Sequence, residues 1–384
     1  LRPIPLPNGD RFFFGLRAIQ ADQEETLPFF TNDRESFLEY DLSQLIYQVQ
    51  QLEQPVVGIL TGLPLFGSPM MPGQPPGAAA QEWTVIRELR KTWEVRRLTG
   101  DFDTDGLDLL AVIHPADLTP EQRLAIDQAV LAGTPLVLAL DPSSYIQRSQ
   151  QQQNQQMMMQ QPQSSSSDLP GLLDAWGIAY APDNVVGDFQ FGRIINARPG
   201  APAVQYPPLI DFTTFNRELP PTSALQEVTV AEPGAFRLTE DSGLELRPLL
   251  ETSRNSGTIP AQVLAFSQIP SVRNQVDIDD QSYVVAGLLR GELTTAFPDG
   301  LPDEGEGEGE GGGGEGSADA AAADLLEASV EPATILFLAD SDLFSDPFSV
   351  QVIQFLGSQA VQPINDNLDF ALNLFDFIGG SEDL

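Results

Sequence analysis

Apolar positions along most of this chain follow two alternating periods. "PVVGILTG", Pro55 to Gly62, is a short β-branched run closed by glycine and predicts a strand. "QEWTVIRELRKTW" then sets Trp83, Ile86, Leu89 and Trp93 at helical spacing, and "WEVRRL" returns to strand character. "LDLLAVIHP", Leu107 to Pro115, is almost continuously apolar, as a strand buried on both faces would be. "LTPEQRLAIDQAVLAG" carries the clearest helix signal. Thr119 fits the N-cap, Pro120 the first helical position, Gln122 the reciprocal capping-box position and Gly133 the stop. "TPLVLALDP", Thr134 to Pro142, is a further buried strand. "DLPGLLDAWGI" is a short helix with Leu169, Leu172, Leu173 and Trp176 on its apolar side.

Near the end, "TILFLAD" (Thr334–Asp340) predicts a strand. "NLDFALNLFDFIGG" predicts an amphipathic helix with Leu368, Ala371, Leu372, Phe375 and Ile378 inward and Gly379-Gly380 as its end. Strands alternating with helices mean βαβ units, hence an α/β fold with a mostly parallel sheet flanked by helices. The stretch from Val185 to Gly291 mixes proline-rich segments with apolar pieces such as "VLAFSQI" and "SYVVAGLL". These read as strands added late, with antiparallel pairing open to them. At the N-terminus "FFFGLRAIQ", "ADQEE" and "TLPFF" predict a β-hairpin of strand, turn and strand. A helix follows, with Leu42, Leu45, Ile46, Val49 and Leu52 at helical spacing and Asp41 or Ser43 as its cap.

The expected organisation is therefore a hairpin and helix over 1–54 and an α/β core over 55–384. Flexible, solvated inserts are expected near 147–167, which is glutamine-rich, and 303–323, which is glutamate- and glycine-rich. "SPMMPGQPPGAAA", Ser68 to Ala80, reads as a loop.

Composition narrows the chemistry. Within 384 residues, 55 acidic against 19 basic residues give a formal net charge of −36, which disfavours nucleic acid and anionic lipid as partners. There is no cysteine, so thiol nucleophiles, disulfides and thiolate metal sites are excluded. The single histidine, His114, excludes a three-histidine zinc site, and any Ser-His-Asp machinery would have to be built on it. No apolar run reaches membrane-spanning length, and the chain opens at Leu1 with no basic signal-peptide start.

In doubly wound sheets ligands sit at the carboxyl ends of strands. The residues there are Thr61, Gly62, His114, Asp141, Asp340, Ser341 and Asp342, and these are the candidate ligand-binding set. "LADSDLFSD" does not match an Asp-x-Asp-x-Thr phosphatase motif, because Phe344 holds the fifth position and Lys91 is the sole lysine. The same phenylalanine breaks a metal-ion adhesion motif. A phospho-receiver acid pair, a Gly-x-Gly-x-x-Gly turn, a P-loop and a Gly-x-Ser-x-Gly elbow are all missing. Asp and Ser after a strand are ordinary turn and cap formers, so a fold-shaping role stands beside the ligand reading. His114 and Asp141, each before a proline, read the same way.

Ordered landmarks carry a resemblance. "FFFGLRAIQADQEETLPFF" with "LEYDLSQLIYQV", then "VVGILTG" and "LDLLAVIHPADLTPEQRLAIDQAVLAGTPLVLALDP", then "LLDAWGI" with "DNVVGD", and finally "LADSDLFSD" with "NLDFALNLFDFIGGSEDL" resemble the ABC-transporter auxiliary proteins related to the gliding-motility component GldG. The resemblance implies a flavodoxin-like or class-I-glutamine-amidotransferase-like α/β fold with no catalytic residues and no cofactor. It implies a place on the periplasmic, extracytoplasmic face of the cytoplasmic membrane, anchored by flanking helices outside this chain. Its implied partners are the membrane subunits of an ABC transporter and other accessory subunits. The expected function is a non-catalytic interaction module. The alternatives are a small-ligand or carbohydrate-binding domain using the strand-end cleft, and a metal-dependent hydrolase using Asp340 and Asp342.

Overall fold

The computed structural model describes residues 4–5, 11–12, 14–20, 23–27, 38, 42, 45–46, 54–67, 81–155, 165–196, 200, 202–301, 325–355 and 358–380. Strands of the α/β body are numbered from its first. Five of them are parallel: β1 (Val56–Thr61), β2 (Glu94–Leu98), β3 (Leu109–Ile113), β4 (Leu136–Ala139) and, far downstream, Ala333–Leu338. The strands between are β5 (Ile178–Tyr180), β6 (Asn184–Asp188), β7 (Gly192–Asn196), β8 (Ala203–Phe212) and β9 (Val228–Ala231). They continue as β10 (Phe236–Leu238), β11 (Leu244–Glu251), β12 (Ser256–Pro260), β13 (Asp277–Ile278) and β14 (Val284–Gly291), which makes Ala333–Leu338 β15.

Pairing runs β2-β1-β3-β4-β15, all parallel, so these five strands, counted in chain order, lie as 2-1-3-4-5. β14 adds to β15 in antiparallel fashion, β11 pairs with β14, and β10 with β5 extends the sheet from Val284. The fold is thus mixed α/β with a largely parallel central sheet and few helices.

The helices are α1 (Thr84–Leu89), α2 (Pro120–Leu131), α3 (Tyr145–Gln155) and α4 (Asn367–Gly379), with several single turns. α1 and α4 bury Ile86, Leu89, Phe370, Leu374 and Phe375 in the cluster on one side of the sheet. α2 and the turn Leu172–Ala175 bury Ile126, Val130, Leu172 and Trp176 in a second cluster. Both faces of β3 and β4 are therefore covered, which is why every residue of these strands is buried and the text reads as unbroken apolar runs. α2 carries the capping box read from the sequence, with Thr119 and Gln122 bonded reciprocally. A smaller lobe holds two antiparallel sheets, β6-β12-β13 and β7-β8-β9, around Val185, Tyr206, Ile259 and Val272.

Three expectations need correction. "VLAFSQI" is not a strand: Ala261–Phe266 is helical, launched from Pro260, and a short apolar run does not reveal its period. "SYVVAGLL" does supply β14. The glutamine-rich segment is not irregular from its start, because Tyr145–Gln155 is helical and takes its N-terminal partners from Asp342. Near the N-terminus Leu16–Gln20 pairs with Gln23–Leu27, so Gln23 to Glu25 lie in a strand and not in a turn, with Arg17 and Glu24 ion-paired across it. Most of the predicted helix after it, its caps Asp41 and Ser43, the Ser68–Ala80 loop and the glutamate-glycine insert fall outside the described residues. Among the described residues no helix is long and apolar enough to cross a membrane.

Candidate functional site

Three strands deliver acids, and a fourth a histidine, to one place at the carboxyl end of the parallel sheet. β4 runs into Asp141, β15 into Asp340 and Asp342, and β9 into Glu232, while β3 ends at His114. Asp141, Asp340 and Asp342 are each 0% exposed. No described cation pairs with them; their partners are backbone N–H groups and hydroxyls, which suit a carboxylate buried among loops.

Asp340 closes its own turn by accepting from the Leu343 amide at 2.8 Å. Its other oxygen accepts from the Ala231 amide at 2.6 Å, tying β15 to β9. Asp342 accepts from Tyr145 N at 2.6 Å, Ile146 N at 3.2 Å and Ser144 Oγ at 3.0 Å, so it caps the start of α3. Asp346, a turn further on, accepts from Thr84 N at 2.7 Å at the start of α1. Asp141 accepts from Ser143 N at 2.8 Å, Ser341 N at 3.0 Å and Ser341 Oγ at 2.8 Å. The carboxylates of "LADSDLFSD" thus fasten three different elements.

His114 sits at φ 42°, a conformation unusual for a residue with a side chain. Its Nε2 faces Gln147 Oε1 at 2.8 Å and its Nδ1 faces Ser167 Oγ at 2.9 Å. Ser167 Oγ in turn accepts from the Asp141 amide. The network assigns the proton to Nε2, with Ser167 donating to Nδ1. Burial holds the imidazole below its ordinary value, so it is neutral. Ser167, His114 and Gln147 are ordered as a nucleophile, base and orienting group would be. Both Ser167 and His114 are closed to solvent, however, and the third member is an amide.

Burial also raises the acids. Asp141 is pushed up to about 7, helped by Glu232, and Asp342 to about 8, helped by Asp141. Asp340 is raised well above the carboxylate range by burial and by both neighbours. Glu232, at φ 56°, accepts from Ser143 Oγ at 2.8 Å and Tyr206 Oη at 2.7 Å and pairs with Arg148 at 2.5 Å. The Tyr180 hydroxyl is buried beside these acids and has no hydrogen-bond partner among the described residues.

Of the seven residues picked from sequence, Asp141, Asp340, Ser341, Asp342 and His114 converge in this network. Thr61 and Gly62 stand at its margin. Thr61 Oγ1 accepts from Leu63 N, and Gly62 N donates to the His114 carbonyl at 2.9 Å. A Cβ on Gly62 would lie 2.8 Å from that carbonyl oxygen, so only glycine fits. Sequence reasoning missed Glu232, Ser143, Ser144, Ser167 and Arg148. Glu232 had a readable signal: "VTVAEP" sets an acid before proline at a strand end, as "LALDP" does. Among the described residues no three His, Asp or Glu side chains are arranged to hold a metal ion.

An open cleft of about 810 Å³ lies elsewhere, in the angle between the sheet and the small lobe. It is lined by Phe191, Phe215, Leu249, Glu251 and Arg254, among others, and by none of the seven. Glu251 is opposite Val284, and Ala339 N bonds to Val285 O, so the cleft opens at the same end of the sheet as the acids.

These features define a class: an α/β domain of parallel core and antiparallel extension whose strand-end acids are committed to loop fastening. The chain belongs to the family of ABC transport auxiliary components described as "ABC-type uncharacterized transport system", which matches residues 54–374 and so spans every strand from β1 to β15. No curated protein matches the chain.

Proposed function

We propose that this domain is a non-catalytic accessory part of an ABC transport system that acts by binding other subunits or cargo. The observation that carries the reading is the family match across residues 54–374. The strand-end network supports the non-catalytic part, because Asp340 and Asp342 already accept from backbone amides on every oxygen. The order 2-1-3-4-5 of the parallel strands supports a flavodoxin-like assignment, with its switch point between β1 and β3. At that point Gly62 and His114 are bonded to each other. In this reading the protein is GldG-like and works on the extracytoplasmic face of the membrane.

The test is cross-linking of the tagged full-length protein in native membranes, followed by identification of the captured chains. Capture of the permease or ATPase subunits supports the reading. Metal-dependent hydrolysis by the purified protein, abolished by Asp340→Asn with the fold intact, would replace it with the hydrolase alternative.

A further inference from the structure

We propose that the cleft beside Phe191 and Phe215 binds a short neutral saccharide. This goes beyond the accessory-subunit reading, and its test needs no transporter, so the two can fail separately. At about 810 Å³ the cleft is within the range of small-ligand sites.

Its walls are held in place by one buried acid. Asp188, 0% exposed, accepts from Gln190 N at 2.6 Å, Phe191 N at 3.0 Å, Ser253 N at 2.6 Å and Ser253 Oγ at 2.9 Å. It thereby staples the turn after β6 to the loop after β11, both of which line the cleft. Thr252, beside Ser253, is bonded through its backbone and its hydroxyl to Tyr283, which fixes the third side. A cleft so braced is formed before any ligand arrives, which lowers the ordering entropy of binding.

The groups that remain open decide the ligand class. Both charged residues on the rim are engaged: Glu251 accepts from Ser282 Oγ, and Arg254 pairs with Asp280 at 3.2 Å. The side chains without a partner among the described residues are neutral, namely the Gln190 amide, the Thr214 hydroxyl and Asn216 Nδ2. Together they offer donors and acceptors side by side, the complement of vicinal hydroxyls. Half-buried Phe191, tilted against Phe212 at 6.0 Å between centroids, supplies a fixed apolar face for the C–H side of a sugar ring. A net charge of −36 repels anionic ligands.

The experiment is calorimetric titration of the protein with maltotriose, cellotriose and triacetylchitotriose, with trigalacturonate as the anionic control. Gln190→Ala and Thr214→Val remove exposed side chains that have no partner among the described residues, so both variants keep their melting temperature. The expected result is binding of at least one neutral trisaccharide, weakened by about tenfold or more in both variants. The proposal is overturned if none of the three binds, if binding survives both substitutions, or if trigalacturonate binds as tightly.

Discussion

Asp342→Asn should gain stability relative to the wild type as pH rises from mildly acidic to alkaline. Two opposed contributions set the outcome. The side chain accepts from Ser144 Oγ and Ile146 N on one oxygen and from Tyr145 N on the other. An asparagine keeps one acceptor oxygen and turns an NH₂ group toward donors on the other side. At least one buried donor is then stranded, at about 1–3 kcal/mol. Against this stands the charge. Burial and Asp141 raise Asp342 from 3.8 to about 8, so between those values the folded protein holds a proton that the unfolded chain has released. A raised carboxyl gives stability that is fully present below its unfolded value and is lost as pH climbs through its folded value, here on the order of 5 kcal/mol. Asparagine does not ionise and escapes that loss. The groups facing Asp342 are Asp141, Asp340 and His114, of which the two acids add to the same trend. Urea denaturation of wild type and variant near pH 5 and pH 9 gives the difference directly, and general repulsion from the acidic surface cancels in it. The wild type has already lost about 1.6 kcal/mol by pH 5, so asparagine should start there between near parity and about 1 kcal/mol weaker, and should gain about 4 kcal/mol on the wild type by the higher pH. A gap that stays constant across this range would refute the buried-charge argument.

Other outcomes follow from single contacts. Thr119→Ala removes the N-cap of α2 and should lower stability by about 1 kcal/mol, read as a shifted urea midpoint with unchanged slope. Gly379→Ala would place a Cβ 2.0 Å from the Trp93 ring, so α4 must shift; a loss of about 1–3 kcal/mol and an altered tryptophan near-UV signal are expected. Trp176→Phe strips the indole N–H from buried Asp127, which keeps Thr295 Oγ1 and Ala296 N, and should lower the melting temperature through a loss of about 1–2 kcal/mol.

The parallel core was legible because strands covered on both faces must be apolar at every position, as Leu109–Ile113 and Leu136–Ala139 are. α2 was legible because its stop and start signals are local. The partners of the strand-end acids were hidden for the opposite reason. Asp342 meets Tyr145 across 197 residues of sequence, and Asp340 meets Ala231 across 109. No local pattern reports such a pairing, so composition made the start of α3 look like an irregular insert. The helix Ala261–Phe266 was misread because its outward residue, Phe266, is apolar and 86% exposed, which erases the amphipathic period. The cleft went unread because its walls come from four separated stretches, two of them joined by Asp188, which in the text is one more acid after a strand.

The proposed function is contact with transporter subunits and not turnover. Cross-linking in native membranes, followed by mass spectrometry of the chains attached to residues 54–374, tests this most directly. The account predicts permease or ATPase subunits of one ABC transporter among the captured chains. Recovery of the protein free of any transporter subunit, under conditions where the transporter itself stays assembled, would contradict it.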